Sequence, residues 1–172
     1  MLEAIDEATA KLLGTVRRLT DDEIRQPSLL PGWTRGHVLT HVARGGEALR
    51  RALHGQPPYP SQEARDADIE AGARRPAADV LADITATADA FRAAVAGFPA
   101  ERWDEQVITP NYPPFPRSEL PVRRLHELEA HHADLGLGYT SADWSPFYAG
   151  LSLPEPLRSQ RADRLIMQGR AG

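Results

Sequence analysis

Cysteine is absent from the 172 residues of this chain, which excludes disulfides, thiolate metal sites and a cysteine nucleophile. Any thiol chemistry must therefore use a thiol brought from outside. Long apolar runs are absent too, and nothing approaches the roughly 20 residues that span a bilayer, so no membrane segment is expected. The opening MLEAIDEATAKLLGTVRRL sets acids among its apolar positions and has no small-residue cleavage site, unlike a secretory signal. The expected location is the cytoplasm. Basic charge is not in surplus: the net charge is −4, and lysine occurs once, at Lys11. Phosphate neutralisation needs a basic surface, so neither DNA nor RNA is an expected partner.

What is present suits one globular domain. Hydrophobic residues make up 41% and charged residues 26%, ordinary values for a chain long enough to bury a core. Over residues 3–19, Ile5, Ala8, Leu12, Leu13, Val16 and Leu19 recur at helical spacing. After the Pro31-Gly32 turn, Thr34 offers a hydroxyl N-cap for a second helix over 35–53, striped by Val38, Leu39, Val42, Leu49 and Leu53. Residues 62–74 are polar and only weakly amphipathic, and predict a short mobile helix over the bundle. Pro76 suits the first turn of a third helix carrying Val80, Leu81, Ile84, Ala88, Phe91 and Val95. Residues 104–118 hold four prolines and cannot be helical throughout, so a strand pair or an extended crossover is expected. A fourth helix follows Pro121 and ends near Leu135, before Gly136 and Gly138. In the segment from Thr140, Trp144, Phe147, Tyr148 and Leu151 are expected to dock on the bundle. Residues 1–153 thus read as an all-α bundle, and 154–172 as a loosely held C-terminal tail with no second domain.

The fourth helix gathers His126, Glu127, Glu129, His131 and His132 in a chain with only 6 histidines. Leu125, Leu128, His132 and Leu135 form its apolar stripe, while Glu127 and His131, four apart, share the flank. Such a pair can hold one metal ion. His41 falls at the edge of the second helix's stripe, among the small residues Gly45, Ala48 and Ala52. His41, Glu127 and His131 together would make two imidazoles and one carboxylate with positions left open, as catalytic rather than closed structural zinc sites are built. The spacing alone leaves other readings open. Glu127 and His131 are equally an exposed acid–histidine pair, His41 a satisfied core histidine, and His37 with His41 a second four-apart pair. His132 reads as core. The order His126-Glu127 begins like HExxH, but the next histidine comes one residue late, which removes the zinc-protease reading.

Two segments carry a resemblance. LPGWTRGHVLTHVARG and VRRLHELEAHHADLG are similar to motifs of the DinB-like mycothiol-dependent maleylpyruvate isomerase family, and the similarity runs over roughly residues 3 to 150. The first motif, Pro-Gly-Trp-Thr followed by a helix with a histidine, implies His41 as one metal ligand. The second, from Arg124 to Asp134-Leu135, implies Glu127 and His131 as the other two. The resemblance also implies a DinB-like four-helix bundle with one long crossover, and a divalent metal, zinc by expectation, that binds a low-molecular-weight thiol. Mycothiol is the implied thiol cosubstrate and a small electrophile such as maleylpyruvate the implied substrate. Arg44, Arg123 and Arg124 are candidates to clamp a substrate carboxylate, against surface arginine as the ordinary alternative. Characterised isomerases of the family carry a further α/β domain, which residues 154–172 are too few to form.

The leading expectation is therefore a metal-dependent, thiol-using isomerase or S-transferase, with its catalytic and cofactor-binding residues unassigned. A non-catalytic metal-binding or interaction module, dimerising through helix faces, would show no thiol-dependent turnover. A metal-dependent hydrolase would turn over without thiol.

Overall fold

The computed structural model describes residues 1–109 and 112–169. Its elements in chain order are α1 (Leu2–Val16), α2 (Asp21–Ile24), α3 (Arg35–Leu53), α4 (Gln62–Gly72), α5 (Ala77–Ala96), β1 (Gln106–Thr109), β2 (Tyr112–Pro116), α6 (Leu120–Asp134), α7 (Pro146–Ala149) and α8 (Leu157–Gly169). The four long helices expected from periodicity are α1, α3, α5 and α6. They close a ring in which α1 packs on α5 and α6, and α3 packs on the same two. The chain therefore crosses the bundle between α5 and α6, and the hairpin lies in that crossover.

Local signals explain where the elements start. Thr34 caps α3 as anticipated, and reciprocally: its Oγ1 accepts from the His37 backbone N–H at 3.4 Å, and His37 Nδ1 accepts from the Thr34 N–H at 3.2 Å. Pro76 is the N-cap of α5, and Pro121 stands in the first turn of α6. The apolar stripes meet in one core, where Leu12, Val38, Leu39, Val42, Ile84, Phe91, Leu125 and Leu128 are fully buried. β1 and β2 pair antiparallel, with Val107 opposite Phe115 and both buried against the bundle. The residues that join them, 110 and 111, lie outside the described residues.

Two expectations for the C-terminal part need correction. Trp144 and Tyr148 do dock, but Phe147 is 47% exposed, because the single turn of α7 can present only one side to the core. Residues 154–172 are not simply a loose tail. Most of that span is α8, which buries Leu157 and ties back through side chains: Arg161 Nη1 donates to the Tyr148 carbonyl at 2.8 Å, and Gln160 Oε1 meets His126 Nε2 at 3.0 Å. Its attachment rests on polar anchors more than on an apolar stripe, so apolar periodicity did not register it. Residues 170–172 lie outside the described residues. Among the described residues no helix is long and apolar enough to cross a membrane.

Close approach is demanded at Gly36, in the first turn of α3. A Cβ there would overlap the Ala73 carbonyl just after α4 and press on Ile24 Cγ2 at 3.1 Å. Gly14, inside α1, faces open space. Gly36→Ala is expected to destabilise the chain by about 1–3 kcal/mol through overpacking. Gly14→Ala is expected to stabilise it by about 0.5–1 kcal/mol through helix propensity. Urea unfolding midpoints of the two variants check both signs at once.

Candidate metal centre

His41 lies in the second turn of α3, facing Glu127 and His131 one turn apart on α6. The structure brings the three together. His41 Nε2 is 3.0 Å from Glu127 Oε2 and 3.1 Å from His131 Nε2, and the remaining edge, His131 Nε2 to Glu127 Oε2, is 3.4 Å. Among the described residues this is the one cluster of histidines and carboxylates with the spacing of a metal site. Glu127 Oε2 is buried and has no hydrogen-bond partner of acceptable geometry. An ionised oxygen left so is costly unless something else compensates it. Bonds of about 2.0–2.1 Å in a tetrahedral site put neighbouring donor atoms about 3.3 Å apart, close to the three edges observed. The donor set therefore fits one divalent ion with at least one further position.

The surroundings orient the ligands. His131 Nδ1–H donates to Asp134 Oδ2 at 2.8 Å, which turns Nε2 toward the site. Asp134 is held in turn by Arg164 of α8, whose Nη2 and Nε donate at 2.6 and 3.1 Å. The Trp33 ring approaches His41 edge-on, with centroids 5.7 Å apart, and Arg65 Nη2 of α4 donates to His41 Nδ1 at 3.1 Å. Behind the site Arg124 is fully buried, donates Nη1 to the Val42 carbonyl at 2.8 Å, and has its pKa pushed down to about 10 by burial.

Protonation follows from these contacts. Burial would raise Glu127, but His41 and His131 outweigh it and hold the carboxyl well below the usual carboxylate range. Burial would lower His131, yet the Glu127 and Asp134 carboxylates outweigh that too and raise it to about 9. For His41 burial wins, and the imidazole is driven toward neutrality. Without an ion, His131 is thus an imidazolium held between two carboxylates.

Two cavities meet at this cluster. The larger, about 560 Å³, runs under α4, the hairpin and α8, with Leu49, Tyr59, Val107, Phe115 and Leu157 on its walls. The smaller, about 340 Å³, is bounded by Trp33, His131 and Arg164. His41, Arg65, Glu127 and Gln160 line both, so the donor atoms stand at the waist between an apolar chamber and a polar one.

The other candidates lie elsewhere. His37 uses its ring nitrogens on Thr34 and on Glu70, the latter at 3.0 Å, and does not join His41. His132 is buried as expected, bonded to Thr15 Oγ1 at 2.8 Å and stacked on Tyr139 at 3.7 Å. His126 is buried between Tyr148 and Gln160. Arg44 is paired with Asp83 and Glu47, and Arg124 lies behind the site, so of the three proposed clamps only Arg123 reaches a cavity wall. Sequence reasoning missed Asp134, Arg65, Gln160 and Arg164. For Asp134 a signal existed, its three-residue spacing from His131. For the other three there was none: Arg65 lies on the weakly amphipathic α4, and Gln160 and Arg164 on the polar side of α8.

Comparison with known proteins bears on the family and the fold. The family model described as the mycothiol maleylpyruvate isomerase N-terminal domain matches residues 5–136. Two solved structures are similar, the mycothiol-dependent maleylpyruvate isomerase at 27% identity and a histidine-to-alanine mutant of it at 26%, each with a TM-score of 0.79 over 84% of this chain. The chain spans 62% of the length of those isomerase chains. No curated protein sequence matches it significantly.

The ion pairs make a pH signature in metal-free protein. His131 has a raised pKa, so its stabilising contribution is complete below its ordinary value of 6.5 and is lost as pH rises through about 9. The unfolding midpoint is expected to fall between pH 7 and 9.5. His131→Gln should abolish that alkaline slope, whatever it does to absolute stability, and urea titrations across the interval read it.

Proposed function

The chain belongs to the mycothiol maleylpyruvate isomerase N-terminal domain family, and from that premise we propose that it binds one divalent metal ion through His41, Glu127 and His131. There it serves a thiol-using isomerase or S-transferase reaction on a small unsaturated acid. The observation that carries the reading is the convergence of three donor atoms, within 3.0–3.4 Å of one another, at the waist of two cavities in a chain that has no thiol of its own. Zinc is the expected ion, since two imidazoles and a carboxylate with an open position suit it. Mycothiol is the expected thiol, by family, and the cytoplasm, where thiols stay reduced, the expected location.

What a divalent ion supplies in such a site is Lewis acidity, which lowers the pKa of a thiol that reaches it. The chain's own residues do the rest. Asp134, clamped by Arg164, keeps the His131 proton on Nδ1 and the ring aimed at the site. The larger cavity has the volume of an ordinary small-molecule site, and its largely apolar walls suit the carbon skeleton of a small unsaturated acid. In the reaction itself, thiolate adds to the double bond and leaves a single bond between the former alkene carbons. Rotation about that bond and elimination of thiolate return the other isomer with the thiol regenerated. A transferase would stop after addition and protonation.

Elemental analysis of purified wild type should find about one divalent ion per chain, lost in His41→Ala and His131→Ala at matched circular dichroism. Asp134→Asn should keep the ion but weaken its binding about 10–100-fold, as loss of an outer-shell partner does. Wild type that takes up no zinc even on incubation would overturn the metal reading. Loaded protein that hydrolyses ester or amide substrates without thiol would favour a metal-dependent hydrolase instead.

A further inference from the structure

Arg65 occupies an unusual position. It lies in the first turns of α4, which is pressed onto α3 so closely that a Cβ at Gly72 would collide with Thr40. Its Nη1 pairs with the exposed Asp66 at 2.7 Å, its Cζ stands 5.9 Å from the Tyr59 ring centroid, and its Nη2 reaches the candidate metal centre at His41 Nδ1. Among the described residues it is the one arginine that lines both cavities. Arg164, on the smaller cavity, is committed to Asp134 and the Gln160 carbonyl, and Arg123, on the larger, to Glu119 and the Phe115 face. The inner partner of Arg65 is a neutral imidazole nitrogen, far easier to give up than a carboxylate.

That contact conflicts with an occupied site. A guanidinium can only donate, so Nδ1 of His41 must accept, and the ring hydrogen then lies on Nε2. Nε2 is also the atom that faces Glu127 and His131. Ligation through Nε2 needs the opposite tautomer, with the hydrogen on Nδ1, and two donors 3.1 Å apart would then confront each other. A seated ion and the present Arg65 contact exclude one another.

We propose that Arg65 is the carboxylate-binding residue of the site, released from His41 when the ion is bound and then free to take a substrate carboxylate in its planar fork at the junction of the two cavities. The release of Arg65 rests on the metal binding proposed above, and the identification of that carboxylate with the unsaturated acid on the reaction proposed with it. The arrangement makes binding of metal and carboxylate cooperative, since the first removes the guanidinium's internal partner. It also places an anionic electrophile beside the position at which a thiolate would be generated.

Calorimetric titration of the full chain with succinate, a saturated and unreactive dicarboxylate, tests this without turnover, with neutral succinamide as control. Zinc-loaded wild type is expected to bind succinate about tenfold or more tightly than metal-free wild type, and Arg65→Gln to lose about tenfold or more of that affinity in the loaded state, the range of a charged hydrogen bond. Succinamide should not distinguish the two proteins, and zinc itself should bind Arg65→Gln more tightly than wild type. The side chain is 21% exposed and contributes nothing to the core, so the variant should fold. Equal succinate affinity in loaded wild type and loaded Arg65→Gln overturns the proposal, as does equal affinity of wild type with and without zinc. Failure to take up zinc overturns it together with the metal reading. Zinc uptake with the expected succinate pattern but no thiol-dependent turnover leaves the role of Arg65 standing and overturns the isomerase reading.

Discussion

Everything at the candidate centre depends on how closely α3 approaches α6. Two imidazoles and a carboxylate must come within 3.0–3.4 Å of one another from two helices, and that requires the helices to meet with little between them. Gly45 and Gly46 provide the room. A Cβ at Gly45 would stand 3.5 Å from Glu127 Oε2, and one at Gly46 would press on the Arg124 guanidinium at 3.2 Å. Larger side chains here would push α6 outward and separate the donors. Of the residues that first read as space beside His41, Gly45 faces Glu127, and Gly46, outside that reading, is where α6 comes nearest through Arg124.

The same contact concentrates charge, and the charges alternate. Arg124, Glu127, His131 and Asp134 follow one another along one face of α6 at spacings of three and four, and Arg164 of α8 closes the row. Each cation other than Arg124 has a carboxylate against it, while Arg124 reaches Glu127 only through space. Breaking such a row at any point leaves a neighbour charged and poorly solvated, which costs more than an exposed pair would. The row also accounts for α8: a segment with little apolar surface is held because Arg164 completes the charge balance around Asp134. A feature that looks like C-terminal anchoring is part of the site's electrostatics.

How far the sequence could be read follows from the same physics. The four long helices were legible because each buries an apolar stripe, and stripes are periodic. The pairing of Glu127 with His131 was legible because four residues make one helical turn. The meeting of His41 with that pair was a conjecture from spacing, strengthened by the family motifs, because nothing in a single helix states which other helix it faces. Arg65, Gln160 and Arg164 were illegible for a different reason. They sit on α4 and α8, whose attachment depends on Gly72 against Thr40 and on hydrogen bonds to His126 and Asp134, contacts that exist only after the bundle has formed. Phe147 was misplaced by the converse error, treating aromatic character as burial when one turn of helix cannot bury all its aromatics.

This division suggests where relatives of the same fold should differ. The candidate donors lie on α3 and α6, inside a core whose packing tolerates little change. The cavity walls are shared: α3 and α6 supply Ala48, Leu49, Ala52 and Arg123, while α4, the hairpin and α8, elements attached to the bundle rather than forming it, supply the facing side. Replacing a residue on the attached elements alters what fits without disturbing the donors, whereas moving a core helix by an ångström would alter both. A scaffold built this way can change substrates while keeping its centre. In this chain Arg65 of α4 is a point at which the attached shell touches the core, through His41. On the role proposed for Arg65, selection of substrate and readiness of the centre are joined at that hydrogen bond.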